Sequence, residues 1–422
     1  MNIRLYFIFI VIFFITELGL SQEAIDFNSV GVHRIASVNP NDTDFEDLEF
    51  LKTMLSKTKV LFLGEKSHGE GTITLAKTRL IKYLIDSLNY NVLAFESGIY
   101  DACIVNELAK NNKDGGNSFR AAFPYILYNT VEFSGMKELI LKKIKTGKIT
   151  LCGIDCQLGL ISYNTLISTV SDSLSRFGYS IDSTSIELIN RYVWNRKSAK
   201  TQYFENKSDS LKLLDTFNKL IFYTKKLNND TNNLLNHAII NLKTDLELHI
   251  MDYYSAPMYL RASKRDKQMA NNLLWILNHG GSNTKIIVWS ASMHNARHVN
   301  LIKDVSDTTF YNNYIPMGHI IYNVLGNDMY SLAFTASGGY FQTPFMMKDS
   351  IAIKSKDSNS VEAYFNKNKY EYGIINFRKK NSYFNKELYS NPHGNSNTKA
   401  VWPKIHDGIF YIDTIYSPRI IK

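Results

Sequence analysis

Four short apolar runs, each followed by polar residues, constrain the fold of this chain most strongly. They occupy residues 60–63, 91–95, 149–154 and 285–289. Their continuous apolar character is typical of strands that are covered on both faces. Between the first two runs, Thr74–Leu88 carries apolar residues at helical spacing. This alternation predicts an α/β fold, with a mostly parallel sheet and helices on both faces.

The middle of the chain has a different pattern. Residues 161–278 carry long helical periodicities and almost no strand signal, which predicts a helical subdomain that interrupts the sheet. The α/β core is therefore expected in two parts, residues 22–160 and 279–422. Two polar segments rich in Asn, Ser and Lys, residues 349–359 and 381–399, are predicted to be surface loops.

Residues 1–21 have the pattern of a secretory signal peptide. Arg4 precedes an apolar run of about a dozen residues, and the small residues Gly19 and Ser21 follow it. The run is shorter than the roughly 20 residues that a membrane-spanning helix needs, although an uncleaved anchor is the alternative. We therefore expect cleavage after Ser21, export to the periplasm or the extracellular space, and no stable membrane insertion afterwards.

Composition excludes several classes of protein. With 45% hydrophobic residues in 422, the chain can bury a large core, which excludes an intrinsically disordered protein. Its 3 cysteines are too few for a disulfide scaffold, and we expect them to be buried, inert thiols. The 48 basic and 39 acidic residues leave a net charge of +9. Because the two signs are interleaved along the chain, no nucleic-acid partner is predicted.

Polar residues at the strand ends predict the location of a site. In open parallel sheets, ligands bind beyond the carboxyl ends of the strands. The side chains expected at that edge are Glu65, His68, Glu96, Asp155 and His294. Such a cluster of titratable groups suits acid–base catalysis. His68 lies in a loop with three glycines that permit a tight turn, and its imidazole can activate a water molecule.

Other kinds of site have weaker support in the sequence. No Gly-x-Ser-x-Gly motif is present, so a serine hydrolase with a nucleophile elbow is not predicted. His294 and His298 are four residues apart, but Asn295 replaces the Glu that a zinc peptidase has after its first histidine. We therefore predict no metal and no cofactor. A metal held by His68, His294 and carboxylates stays an alternative, because these are also ligand types.

Residues 60–101, which begin VLFLGEKSHGEG, closely resemble the opening motif of the erythromycin esterase family. The resemblance continues, in the family's order, through CGIDCQ, RDKQMANNLLW, VWSASMHNARH and MGHIIYNVLGNDMYSLAFTASGG. It covers roughly residues 45–416. It implies a parallel α/β core with a helical subdomain, and hydrolysis of a small-molecule carboxylic ester or lactone in the response to an antibiotic.

The resemblance also implies roles for individual residues. His68 corresponds to the base that activates a water molecule for attack on the ester carbonyl. Glu65 and Glu96 correspond to the paired carboxylates that orient His68 and adjust its pKa. His294 corresponds to the family's second histidine, and together with Lys77 it is expected to stabilise the oxyanion.

Three further residues are candidates for substrate binding, namely Arg79, Asp155 and Arg265. The family often has Arg where Lys77 stands here, and Arg79 is the neighbouring arginine. Because residues two apart on a helix point in different directions, only one of these two can line the site. The chain also departs from the family at Ala291-Ser292, where His-Asn is usual.

Two other functions stay open at this point. One is a module that binds a metal or haem with the same cluster. The other is an esterase that acts on acylated surface polysaccharide, which the predicted export favours because macrolides act on ribosomes inside the cell.

Overall fold

The computed structural model describes residues 31–421, apart from residues 112, 114, 124, 199–203, 205, 227–229, 344–345, 354–356 and 380–382. The predicted signal peptide, residues 1–21, lies outside the described residues. Within the described part, no helix has the length and apolar character needed to cross a membrane.

Eleven strands are described. They are β1 (Val32–Ile35), β2 (Val60–Glu65), β3 (Val92–Gly98), β4 (Thr150–Asp155), β5 (Ile286–Ala291), β6 (Met329–Thr343), β7 (Met346–Ala352), β8 (Tyr372–Asn376), β9 (Leu388–His393), β10 (Ser396–Ala400) and β11 (Gly408–Ile415).

The strands form one large mixed sheet and one hairpin. The large sheet has the order β1-β8-β11-β6-β2-β5-β3-β4, and its six strands from β11 to β4 are mutually parallel. Strands β8, β1 and β7 join it by antiparallel pairing, while β9 and β10 pair separately. The predicted α/β fold with a mostly parallel sheet is therefore confirmed.

Helices connect most of these strands. The α-helices are α1 (Phe50–Met54), α2 (Gly71–Leu88), α3 (Ile99–Lys110), α4 (Gly115–Ala122), α5 (Tyr125–Tyr128), α6 (Val131–Lys145), α7 (Ile167–Ser175), α8 (Ser183–Lys197), α9 (Lys207–Lys226), α10 (Asp230–Tyr253), α11 (Met258–His279), α12 (Ser292–Asn295), α13 (Thr308–Asn313), α14 (Met317–Leu325) and α15 (Val361–Lys367). Short 3₁₀ turns occupy Glu46–Leu48, Val299–Leu301, Gly326–Asp328 and Trp402–Lys404, and a π-helical turn at Ser162–Leu166 leads into α7.

The strands of the central sheet are apolar on both faces because helices cover both. On β2, Leu61 and Leu63 pack into a cluster that includes Ile81 of α2. The alternate residues Val60 and Phe62 pack on the opposite face, in a cluster that includes α11. Successive strand side chains point to opposite faces, so a strand covered on both sides has a continuous apolar run. Each fully buried side chain of this size contributes about 1.5–3 kcal/mol.

Helices fill the chain between β4 and β5, as the sequence predicts, but they belong to two different cores. Buried residues between Leu166 and Leu246 form a cluster of their own. Helix α11 instead packs Met269 and Leu273 onto the sheet. Helix α11 therefore packs on the sheet, although it lies within residues 161–278.

The two segments predicted to be surface loops contain strands. Strand β7 extends to Ala352, and β9 and β10 occupy most of residues 388–400. In β9, Ser390, Asn391 and His393 are buried. For residues 381–399 the prediction was wrong because the polar side chains of β9 are buried against polar partners, and a hydrophobic pattern cannot detect such a strand. In residues 349–359 the strand ends at Ala352, and Ile351 and Ala352 are exposed.

Candidate active site

The order of the strands brings the predicted site residues to one edge of the sheet. Glu65, Glu96 and Asp155 lie at or near the carboxyl ends of β2, β3 and β4, and β5 lies between β2 and β3. His294 follows β5 on the one-turn helix α12. Arg265 reaches the same place from α11, the helix that packs on the sheet. Parallel strands place their carboxyl ends together, so residues far apart in the chain become neighbours.

His68 lies in the loop between β2 and α2, and Glu65 orients its ring. The Nδ1 of His68 is 2.5 Å from Glu65 Oε1, so Nδ1 carries the proton when Glu65 is ionised. The opposite nitrogen, Nε2, lies 4.0 Å from Glu96 Oε1. Burial by itself would lower the pKa of His68, but the hydrogen bond and charge of Glu65, helped by Glu96, raise it to about 9.

The second carboxylate oxygen of Glu65 contacts two buried side chains. Glu65 Oε2 accepts hydrogen bonds from Lys77 Nζ at 2.7 Å and from Trp289 Nε1 at 2.6 Å. Burial favours the protonated carboxyl, yet the charges of Lys77 and His68 hold the pKa of Glu65 below its usual value. Lys77 is completely buried, with its ammonium 4.4 Å from the centre of the Trp289 ring. The structure therefore places the Lys77 ammonium against the carboxylate that orients His68.

Glu96 lies among three cationic side chains. Its Oε1 accepts a hydrogen bond from Arg265 Nη2 at 2.8 Å and lies 3.3 Å from His294 Nε2. Its Oε2 accepts from the backbone nitrogen of Ala291 at 3.0 Å. Burial would raise the pKa of Glu96, but His294, Arg265 and His68 hold it well below its usual value. Glu96 is therefore an anion that orients cations at the sheet edge.

His294 is held by two residues that were not predicted from the sequence. Its Nδ1 lies 2.8 Å from Asp266 Oδ1, and Tyr314 donates its hydroxyl to Asp266 Oδ2 at 2.6 Å. Burial opposes protonation of the imidazole, but Asp266 and Glu96 raise the pKa of His294 to about 10. Asp266 directly follows the predicted Arg265, and an acid next to a candidate arginine was the available sequence signal. Tyr314 carries no such signal.

Two of the three predicted substrate-binding residues lie in this cluster, and Arg79 does not. Asp155 accepts hydrogen bonds from Nε and Nη2 of Arg265. Arg79 instead binds both carboxylate oxygens of Asp47, at 2.8 and 2.9 Å. Arg79 and Lys77 are about 200° apart around α2, so the helix directs Lys77 toward the site and Arg79 toward the 3₁₀ turn at Glu46–Leu48.

The charges of the cluster balance. Four carboxylates (Glu65, Glu96, Asp155 and Asp266) alternate with four cationic side chains (Lys77, His68, Arg265 and His294). Such pairing is what permits so many ionised groups in a buried place. Within the part of the chain that the structure describes, no group of three or more His, Cys, Asp or Glu side chains is arranged to hold a metal ion.

A cavity of about 340 Å³ opens beside this cluster. Glu96 and Asp155 form its wall toward the reactive groups, and Arg120, Phe123 and Tyr163 are among its other lining residues. Its mixed polar and apolar lining is typical of small-molecule sites. The cavity can therefore hold part of a small organic molecule next to the charged groups.

Ala291 and Ser292 stand where the family usually has His-Asn, and both form hydrogen bonds near the site. Ala291 donates its backbone N–H to Glu96, and Ser292 donates its hydroxyl to the carbonyl oxygen of Gly64 at 2.6 Å. A Cβ built on Gly64 would lie 2.7 Å from that hydroxyl. Ser292 thus packs directly under the strand that ends in Glu65.

Several known proteins resemble this chain. Erythromycin esterase type II of Escherichia coli is 26% identical over 327 residues, which are 72% of this chain and 75% of the relative. The protein YbfO of Bacillus subtilis strain 168 is 26% identical over 285 residues, so the match spans about 61% of each protein.

Solved structures share the fold at low sequence identity. A Bacillus cereus protein superposes with a TM-score of 0.76 at 18% identity, over 94% of this chain and 98% of that chain. A protein described as a succinoglycan biosynthesis protein gives 0.72 at 18%, over 94% and 97%. A mutant of the erythromycin esterase EreC in its open conformation gives 0.65 at 16%, over 92% and 99%.

The family assignment rests on a match that spans most of the chain. The sequence profile of the erythromycin esterase family matches residues 85–415, and the resemblance of residues 60–101 adds the loop that carries His68. Membership of this family supports a hydrolytic enzyme. The chain belongs to the erythromycin esterase family.

Proposed function

We propose that the protein hydrolyses a carboxylic ester or lactone with a water molecule activated by His68. The observation that carries this proposal is the 2.5 Å contact between His68 Nδ1 and Glu65 Oε1. This contact fixes the ring and leaves Nε2 directed to the side of Glu96. The His68 side chain is 29% exposed, so water and substrate can reach it.

The first step forms a bond between water and the carbonyl carbon. The neutral imidazole of His68 takes one proton of the water at Nε2 while the water oxygen attacks the carbonyl. The positive charge that develops on the ring is stabilised by Glu65, which Lys77 and Trp289 hold in place. No covalent bond between enzyme and substrate forms in this scheme.

The same step places negative charge on the carbonyl oxygen. Arg265 and His294 both contact Glu96 Oε1, and we assign to these two cations the hydrogen bonds that stabilise the oxyanion. When the tetrahedral intermediate collapses, the carbon–oxygen bond to the alcohol breaks. The leaving alkoxide then takes the proton from His68 Nε2, which returns the base to its neutral form.

The direct test is the His68→Ala variant in purified protein. We expect its turnover of an ester substrate to fall by about 10²–10⁴-fold, the usual contribution of a general base. His279→Ala is the matched control, because His279 is exposed at the end of α11. Circular dichroism spectra establish that both variants fold. Full activity of folded His68→Ala protein would contradict the mechanism.

A hydrolysis screen identifies the class of ester that the protein cleaves. It should include macrolides, simple aryl esters and acylated sugars, with His68→Ala protein as the blank. Macrolide turnover would support a role in the response to antibiotics, and turnover of acylated sugars would support action on surface polysaccharide. Elemental analysis and an absorption spectrum of the purified protein separate these enzymes from a metal- or haem-binding module.

We also propose that residues 1–21 direct export, for which the sequence pattern is the support. Expression of the full chain followed by mass spectrometry of each cell fraction tests this. The expected species lacks Met1–Ser21 and lies outside the cytoplasm. A cytoplasmic chain that retains Met1–Ser21 would contradict the proposal.

A further inference from the structure

The loop that carries His68 is held by the hairpin of β9 and β10. The backbone nitrogen of Gly394, at the tip of the hairpin, donates to the carbonyl oxygen of Lys66 at 3.0 Å. Lys66 in turn donates its ammonium to Asn391 Oδ1 on β9. Both Lys66 and Asn391 are buried, so this contact is shielded from water.

Glu70 links the hairpin tip to the residue next to His68. Its Oε1 accepts from the hydroxyl of Ser67 at 2.6 Å, and its Oε2 accepts from the Ser67 backbone nitrogen at 3.1 Å. Oε1 also accepts from Asn395 Nδ2 at 3.1 Å. Glu70 is only 3% exposed. These hydrogen bonds form a chain from Asn395 through Glu70 to Ser67, whose neighbour is His68.

The backbone of the hairpin turn suits this contact. Gly394 and Asn395 both have positive φ, at 62° and 61°. Two consecutive residues in the left-handed region form a type I′ turn, which matches the twist of a two-residue hairpin. Asparagine tolerates this conformation better than most residues other than glycine, and here it also brings an amide donor to Glu70.

The other side of the loop that carries His68 contacts strand β6. The carbonyl oxygen of Gly69 accepts from the backbone nitrogen of Gln342 on β6 at 3.0 Å. A Cβ at position 69 would lie 1.7 Å from the Gln342 carbonyl oxygen, so only glycine fits there. His68 is therefore carried by a loop fixed between β6 on one side and the hairpin on the other.

We propose that Glu70 and Asn395 are positioning residues, which hold the loop so that His68 stays aligned with Glu65 and the attacking water. This inference rests on the proposed function and deepens it, because it assigns the geometry of the base to a hairpin more than 300 residues away in the chain. Small displacements of a catalytic group lower turnover strongly, and about 1 Å can cost roughly 10²-fold.

The first test removes the amide of Asn395 without straining the turn. Asn395→Gly keeps the positive φ accessible, and we expect kcat to fall about tenfold with KM unchanged, because positioning of the base affects the chemical step. Asn397→Ala is the matched control, since the Oδ1 of Asn397 in the same hairpin has no hydrogen-bond partner among the described residues. Unchanged kcat in Asn395→Gly would overturn the proposal.

The second test exchanges the donor and the acceptor. Asn395→Asp alone places two carboxylates about 3 Å apart, and we expect it to lower kcat more than Asn395→Gly does. The double variant Glu70→Gln with Asn395→Asp restores a donor opposite an acceptor, and its kcat should recover to about that of Glu70→Gln alone. Equal losses in the double variant and in Asn395→Asp would overturn the proposal.

A third measurement does not depend on activity. Hydrogen exchange of the peptide that contains residues 64–71 should become faster in Asn395→Gly and stay unchanged in Asn397→Ala, while the unfolding midpoint of both variants stays close to that of the wild type. If no ester is hydrolysed by the wild type, the proposed function fails, and this exchange difference still tests the hairpin contact. Identical exchange in all three proteins would overturn it.

Discussion

Lys77 Nζ lies 2.7 Å from Glu65 Oε2, and the Lys77 side chain is completely buried. The cation is thus linked to His68 through Glu65, the carboxylate that orients the imidazole. Family resemblance suggests a direct contact between this position and the oxyanion, and the observed geometry suggests an indirect role. This difference leads to predictions that separate the two roles.

Lys77→Met should destabilise the protein and abolish activity. It leaves the charge of Glu65 buried without its strongest partner, and breaking a buried ion pair in this way costs about 3–5 kcal/mol. Urea unfolding measures the loss. The double variant Lys77→Met with Glu65→Gln should lose less stability than Lys77→Met, because no unpaired charge remains. If the double variant is the less stable of the two, the two side chains do not act as a pair.

Arg79→Met should affect stability without affecting the chemistry. Arg79 binds Asp47 through two hydrogen bonds, and Asp47 is not one of the carboxylates around Arg265 and His294. The variant leaves the Asp47 carboxylate without this partner, so it should lose stability on the order of 3 kcal/mol. We expect kcat/KM of the folded variant to stay within about twofold of the wild type. Unfolding curves and ester kinetics at a temperature where the variant is folded provide the comparison. A large fall in kcat would instead indicate that Arg79 contacts the substrate.

The pH dependence of kcat/KM should be bell-shaped and alkaline. The pKa of His68 is raised to about 9 and that of His294 to about 10. The base must be neutral and the oxyanion donor must be charged, so activity rises with pH through about 9 and falls above about 10. Glu96→Gln removes a charge that raises the pKa of His68, so the rising limb should move to lower pH. A rising limb that stays in place would exclude His68 as the titrating base.

Asp266→Asn should move the other limb. Asp266 supplies the largest favourable contribution to the raised pKa of His294, so its neutral replacement lowers that pKa and shifts the falling limb to lower pH. Turnover at pH 9 should fall by about 10–10²-fold as the charged donor is lost. Asp172→Asn, on an exposed position of α7, is the control. An unchanged profile in Asp266→Asn would exclude His294 as the donor.

Thermal stability should decrease in alkaline solution. Both His68 and His294 have folded-state pKa values above the ordinary value of 6.5. Their protonation therefore stabilises the folded state fully below about pH 6.5, and this contribution is lost as pH rises through about 9 and 10. Melting temperatures from pH 6 to 10.5 measure the effect. His294→Asn should give a flatter curve over the upper part of this range, and an equally steep curve would contradict the assignment.

Much of the site could be predicted because strand ends are visible in a sequence. Glu65, Glu96 and Asp155 end or closely follow apolar runs, and the parallel sheet then brings them to one edge. The partners Asp266 and Tyr314 could not be found in this way. Asp266 lies on α11, and Tyr314 directly follows α13. The packing of α11 against the sheet brings Asp266 to His294, and Tyr314 joins them through its hydroxyl.

The strands of the β9–β10 hairpin could not be predicted from the sequence for a similar reason. Its residues are polar, so their pattern predicts a loop, yet Asn391 and His393 are buried in β9. Buried polar strands are stabilised by specific hydrogen bonds to distant residues, such as the one between Lys66 and Asn391. Hydrophobic periodicity carries no information on those partners.

Local patterns of apolar and polar residues were enough to predict the α/β alternation, the helices between the third and fourth core strands, and the residues that the strand ends present. How each charge is used depends instead on packing between distant segments. Lys77 and Arg79 are two residues apart on one helix, yet one supports Glu65 and the other binds Asp47. The physical reason is that the free energy of a buried charge depends on the partner that packing brings to it, and that partner is distant in the chain.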